Sequence, residues 1–404
     1  MSATPPEKAL PLRLILVLAL LSATGPIATD IYLASFPEIS HGLRTDAPHV
    51  QLTLTAFLLG IGVGQLLWGP LSDRVGRWRP MVVGSAIATV ASVVVMFSPN
   101  VEVMIGARFV QAVCAAATMV LARAVISDLS RGFAAAHSIS LMMAVQAIAP
   151  IAAPVVGGLL SGHVPWRGVL GVVTLCMAAQ LVGAVTVVRE TLPASRRTAT
   201  LSYRPLGVVL RRPAFVLQAL TQALSMGAIM SFISSSSFIY QGVLGLPGWV
   251  FGLGFALNSA GVFWAGTRSA ARARARIHPA RTISLALPVA ATAALLVLGA
   301  AASPHPILLL VPLWVVIASL GFVTGNAVSL AMEQVRDRAG AGSAVVGGLM
   351  FLTMSLCSVL SGLGGEDTAV PMALTTLGAV LLCATVFVVA RRVVEPGSEA
   401  AFVS

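Results

Sequence analysis

Gly69-Pro-Leu-Ser-Asp73-Arg74-Val-Gly76-Arg77-Trp-Arg79-Pro80 is the stretch on which the fold turns. Charges gather in it, while the chain on either side, 50–72 and 80–98, is apolar. About 20 apolar residues cross a hydrocarbon core as a helix. The segment therefore reads as a polar turn between two membrane spans. Asp73 closes the first span at its C-terminal end, where the helix dipole disfavours an anion. It needs a partner. Arg74 and Arg77 are close by, and the N-terminus of a later span near Gly342 offers positive partial charge. Gly76 permits a tight turn.

Working outward, the same pattern recurs. Spans are predicted at 13–36, 50–72, 80–98, 101–127, 139–161, 166–188, 213–240, 247–267, 281–302, 306–331, 342–364 and 368–390. The chain is 57% hydrophobic and only 10% charged, against about 25% charged in soluble domains. The reading is an all-α membrane protein of twelve transmembrane helices. The net charge of +11 does not indicate nucleic acid, because of where the cations fall. With the N-terminus inside, all the Lys and Arg except Arg44, Arg167, Arg108 and Arg123 lie in inner segments, from Lys8 and Arg13 through Arg131 to Arg391 and Arg392. Such a bias sets orientation and places both termini in the cytoplasm. The longest polar segment, 189–212, is a cytoplasmic central loop. It divides six spans (1–188) from six (213–404, with a short cytoplasmic tail). Parallel halves of this kind build transporters with a cavity at the midplane. No GxxxxGK[ST] segment occurs, which excludes a built-in nucleotide motor. Neither a nucleophile–base pair nor a metal-ligand set stands out, so neither a catalytic nor a metal site is expected.

Asp30 lies in the outer part of the first span, within Ser22-Ala-Thr-Gly-Pro-Ile-Ala-Thr-Asp30-Ile-Tyr-Leu-Ala-Ser-Phe36. No other acidic residue falls clearly inside a span. Such a carboxylate costs several kcal/mol unless protonated, paired or wetted, and by default marks an ion or substrate path. In the fourth span Arg108, Gln111, Ala115 and Thr118 recur at helical spacing on one face. Counting at 1.5 Å per residue puts Asp30 and Arg108 both roughly 10 Å below the outer boundary. Desolvation favours a protonated acid and a guanidinium favours its ionised form. A pocket that alternates between these environments can load and release a proton; the alternative is a structural Arg108 bonded to backbone carbonyls. In the fifth span Ala149, Ala153 and Gly157 form a small-residue stripe that admits another helix, and Pro150 and Pro154 bend the helix and free carbonyls.

The turn resembles the G-x-x-x-D-R-x-G-R signature of the major facilitator superfamily, with Trp78 where a further basic residue is usual. The resemblance implies a cytoplasmic gate built from Gly69, Asp73, Arg74, Gly76 and Arg77. Arg108-Phe-Val-Gln111-Ala is similar to the RxxQG segment of drug exporters, with Ala112 for the glycine. Ala149-Pro150-Ile-Ala-Ala153-Pro154-Val-Val-Gly157-Gly158 is similar to the antiporter signature ending GPxxGG. Thr29-Asp30-Ile-Tyr32-Leu, Gly64-Gln65-Leu-Leu, Trp166-Arg167, Phe255-Ala-Leu-Asn258, Gly342-Ser-Ala and Pro371-Met-Ala together resemble the bicyclomycin- and chloramphenicol/florfenicol-resistance (Bcr/CflA) exporters over essentially the whole chain.

What this resemblance implies is a monomeric proton-coupled antiporter of the bacterial inner membrane. It would need no cofactor beyond the proton gradient and would export small amphiphilic drugs or metabolites by alternating access. Asp30 and Arg108 are the expected coupling pair. Tyr32, Gln111, Thr118, Gln222, Tyr240, Asn258 and Asn326 are the expected cavity residues. Pro150, Pro154, Gly157 and Gly158 form the antiporter helix. An importer or facilitator of the same fold, and a non-transporting receptor or scaffold, are the competing readings. The first should lack the fifth-span signature. The second predicts that Asp30→Asn leaves the phenotype intact.

Overall fold

A computed structural model describes residues 10–130, 132–198, 204–302, 305–365 and 367–393. Lys8, Arg131, part of the central loop and the C-terminal tail, all counted above, lie outside the described residues. Among the described residues eleven helices are each long and apolar enough to cross a membrane, and a bent pair completes twelve.

The bent pair is the first span, and here the expectation of one helix over 13–36 is corrected. The span is α1 (Leu12–Ser22), α2 (Thr24–Asp30), a 3-10 turn at Leu33–Ser35 and α3 (Phe36–Leu43). The two main pieces meet at 41°. Proline is the cause. Pro26 and Pro37 sit in the first turns of α2 and α3, where a missing N–H is tolerated, and each denies a donor to the turn before it. The span also continues past Phe36 to Arg44, whose left-handed φ of 53° ends α3.

The remaining helices are continuous. They are α4 (Ala47–Val75), α5 (Trp78–Met96), α6 (Val101–Leu129), α7 (Gly132–Leu160) and α8 (Trp166–Thr186), then the short α9 (Arg204–Leu210). They are followed by α10 (Pro213–Phe238), α11 (Gly248–Arg274), α12 (Pro279–Ala301), α13 (Pro306–Glu333), α14 (Ala339–Gly362) and α15 (Val370–Val393). Starts are specified locally. Asp46 and Asn100 cap α4 and α6 by accepting the N–H of His49 and Val103, as short polar side chains do at N-caps.

The first span packs on α6, α7 and α8, and α4 and α5 pack on α6. In the second half α10 packs on α13, α14 and α15. The halves meet mainly through α4 on α14 and α7 on α11. Leu175, Ile307 and Val90, exposed on the outside, supply the apolar surface that a bilayer covers.

Candidate functional site

A cavity of about 460 Å³ lies between the halves, where α2 ends. Leu58, Ile61 and Met119 wall it from one side, Met230, Phe232 and Phe255 from the other. Its polar lining residues are Thr29, Asp30, Asn258 and Ser259. A second space of about 590 Å³ lies toward the Asp73 turn, and Met350 borders both.

Asp30 is 7% exposed, and its Oδ1 accepts from Thr29 Oγ1 at 2.8 Å. Arg108 does not pair with it. No ion pair among the described residues includes either group. The fully buried Arg108 instead donates through Nη2 to the carbonyl of Ala28 at 3.0 Å and through Nη1 to Gln111 Oε1 at 3.0 Å. Its guanidinium lies 3.8 Å from the ring centroid of Tyr32. The reason is the broken first span. Irregular backbone at membrane depth must find partners in the protein. Thr118 donates to Leu21 O (2.9 Å), Gln180 to Leu20 O (2.9 Å) and Gln241 to Ala34 O (2.9 Å). Arg108 serves Ala28 in the same way.

The face predicted on the fourth span is therefore real, but it is turned on the first span rather than on the cavity. Tyr32, Gln111 and Thr118 sit outside the cavity lining. Tyr240 is packed edge-on to Phe251, and Asn326 is bonded to Ser269 and Phe322 O, both also away from it. Gln222 lines the second space. Of the seven expected cavity residues, Asn258 lines the central cavity.

Helix α7, which carries Pro150, Pro154, Gly157 and Gly158, makes close contact on both sides. A methyl at Gly157 would collide with the carbonyl of Ile31, and one at Gly158 would stand 2.6 Å from Gly248 O. Pro154 has no N–H to offer Pro150, and the freed Pro150 carbonyl accepts from Ser259 Oγ at 3.1 Å. At the end remote from the Asp73 turn, the halves also touch through Phe36 against Phe238, centroids 5.8 Å apart.

At the Asp73 turn Gly76 has φ 100°, a value that favours glycine, and its α-carbon faces the Glu190 carboxylate. Asp73 pairs with Arg77 at 2.7 Å, and Arg77 reaches Asp128 at 3.0 Å and Ser72. The candidate partner Arg74 is exposed instead. Glu190 accepts N–H groups of Arg77, Trp78, Thr191 and Leu192. Burial pushes its carboxyl up, but these donors outweigh burial and hold it below the ordinary Glu range. In the other half Arg212 forks onto Asp337 with two 2.7 Å bonds. No ion pair joins the halves among the described residues. The expected approach of Asp73 to the start of α14 is replaced by the second space, which Gly69 and Asp73 border from one side and Gly340 to Ala344 from the other.

Sequence reasoning missed Asp128, Glu190, Gln241 and Ser259. Asp128 and Glu190 stood at predicted span ends, where the unpaired arginines of the turn were the available signal. Gln241 and Ser259 carried none.

Comparisons with known proteins agree on the architecture. The family model "Major Facilitator Superfamily" matches residues 18–362. The chain is 33% identical over 368 residues to the uncharacterized MFS-type transporter YdgK of Bacillus subtilis, covering 89% of this chain and 91% of that one. It is 27% identical to a bicyclomycin resistance protein homolog of Haemophilus influenzae, covering 90% and 92%. It is 33% identical to a chloramphenicol resistance protein of Pseudomonas aeruginosa, covering 60% and 58%. Among solved structures, the peptide transporter POT superposes with a TM-score of 0.76 at 11% identity, covering 94% and 95%. The chain is thus a multi-pass transporter of the bacterial inner membrane, not an enzyme, and belongs to the major facilitator superfamily, beside its bicyclomycin- and chloramphenicol-resistance members.

Proposed function

We propose that the protein is a monomeric proton-coupled efflux antiporter. It takes chloramphenicol-like or bicyclomycin-like compounds, or a related secondary metabolite, from the cytoplasmic side. The observation that carries this reading is Asp30, a buried carboxylate with no ion-pair partner among the described residues, on the wall of a cavity between the halves. An uncompensated acid at membrane depth is costly. Protonation, or a cargo whose hydroxyl and amide donors satisfy the carboxylate, each lowers that cost, so the two compete. Competition at one acid is the simplest route to antiport.

Arg108 acts on Asp30 through backbone, by holding the Ala28 carbonyl and with it the turn that presents the acid. Halves 1–188 and 213–404, joined by 189–212, are the bodies that rock. The Asp73 turn and α14 bound the cytoplasmic opening, and α7 seals the opposite side against α2 and α11. The relatives named for bicyclomycin and chloramphenicol resistance support the cargo class. The fifth-span prolines and glycines favour antiport over the importer reading.

Reconstituted liposomes test this. A pH gradient should drive chloramphenicol uptake by the wild type and not by Asp30→Asn. Uptake undiminished by that substitution would sink the proposal.

A further inference from the structure

The hydrogens of the cavity's polar groups are largely committed elsewhere. Ser259 gives its hydroxyl proton to Pro150 O. Thr29 has one proton, shared between Gly25 O at 2.9 Å and Asp30 Oδ1 at 2.8 Å. Asp30 when ionised only accepts, and its Oδ2 has no donor among the described residues. Asn258 is 7% exposed, and its orientation is set because Nδ2 donates to Gly254 O at 2.9 Å. That leaves Oδ1 buried with no donor among the described residues. A buried acceptor without a partner costs about 1–3 kcal/mol. What the site lacks is hydrogen-bond donors, and it lacks them in both halves, at Asp30 in one and Asn258 in the other.

We propose that this cavity selects its cargo by N–H and O–H donors as well as by charge. The cargo class is an amphiphile with donor groups on its polar end, set between Asp30 and Asn258, and an apolar body against Phe232 and Phe255. A cation of the same size that carries no N–H is a poor cargo, and an anion is excluded. Asn258 is then a specificity residue in the second half that complements the acid in the first. This rests on the central cavity being the cargo site, as in the efflux reading, but not on proton coupling.

The test is a matched pair of cations, protonated N,N-dimethyl-2-phenylethylamine and trimethyl(2-phenylethyl)ammonium. They differ by one N–H replaced with N–CH3. Dissociation constants are measured by calorimetry on the detergent-solubilised full chain at neutral pH, with no gradient. The single N–H is taken by Asn258 Oδ1 while the charge of either ammonium sits against Asp30, so the tertiary ammonium should bind at least about tenfold tighter, one charge-assisted hydrogen bond's worth. Asn258→Leu should narrow that ratio and Asn258→Asp should widen it. If Asn258→Leu does not fold, Asn258→Asp alone decides. Equal affinities in the wild type overturn the proposal, as does a ratio that the folded Asn258 variants leave unchanged. A chain that discriminates between the two cations yet moves no protons would keep this inference and remove the antiport reading.

Discussion

Ser259 on α11 donates its hydroxyl to the carbonyl of Pro150 on α7, 3.1 Å away. The bond joins the two halves at the one turn of α7 where Pro154 leaves that carbonyl without an internal donor. Ser259→Ala should therefore cost about 1 kcal/mol, the net worth of one half-buried hydrogen bond. Pro154→Ala restores the N–H. On that background Ser259→Ala should cost markedly less. Thermal denaturation of the four proteins in detergent checks the cycle, and equal costs on both backgrounds would show that the bond carries no weight.

Asp30 and Arg108 should respond oppositely to neutralisation. Breaking a buried ion pair costs about 3–5 kcal/mol. Asp30 is in no such pair, so Asp30→Asn should leave stability unchanged or raise it. Arg108→Gln strands Ala28 O and unseats Tyr32, and should lower stability by about 2–3 kcal/mol. Melting temperatures of the two variants decide this. A large loss in Asp30→Asn would restore the ion pair.

Gly157→Ala and Gly69→Ala make a contrasting pair. The first drives a methyl into the Ile31 carbonyl, which is backbone and cannot turn aside. The second meets nothing within 4 Å. Gly157→Ala should force α7 off the first span and abolish transport, whereas Gly69→Ala should fold as the wild type does. Transport and melting assays on both variants are the check.

At the end remote from the Asp73 turn, Gln241 Nε2 holds Ala34 O. Gln241→Ala removes a donor from the contact between halves. A loss of 1–2 kcal/mol corresponds to a factor of about 5–30 in an equilibrium. Cysteines introduced near Phe36 should become more reactive to a membrane-impermeant thiol reagent by a factor in that range. Unaltered labelling would mean that the contact does not hold this side closed.

Glu190 makes stability depend on acid. Its carboxyl is held below the ordinary Glu range in the folded protein. The folded state then binds fewer protons than the unfolded state, and stability rises with pH across the interval between the two values. Its contribution is complete above the ordinary Glu range and fades as pH falls through the lower folded value. Melting temperatures from pH 7 to about pH 3 should fall less steeply in Glu190→Gln than in the wild type.

The spans, the Gly76 turn and the solitary Asp30 were legible because each rests on local chemistry: apolar length, a charge cluster at a span end, an acid among apolar residues. The break at Ala23 was written in Pro26 but was masked by unbroken hydropathy, since unwinding costs nothing in apolar composition. Arg108 stands on the expected face, but the sequence left open whether it meets Asp30 or bonds backbone carbonyls, and the structure has it on Ala28 O. A carbonyl has no residue type, so no pattern of side chains announces it as the acceptor. The cavity wall takes Asn258 from the candidates and adds Thr29 and Ser259, which were not among them. It is assembled by packing between helices more than 200 positions apart, which no window along the chain can see.

Each half keeps its own ion pairs at the arginine-rich end, Asp73 with Arg77 and Asp128 on one side and Arg212 with Asp337 on the other. Among the described residues, separating the halves there breaks no ion pair. The opening step of the transporter should therefore run at nearly the same rate in dilute buffer as in molar salt.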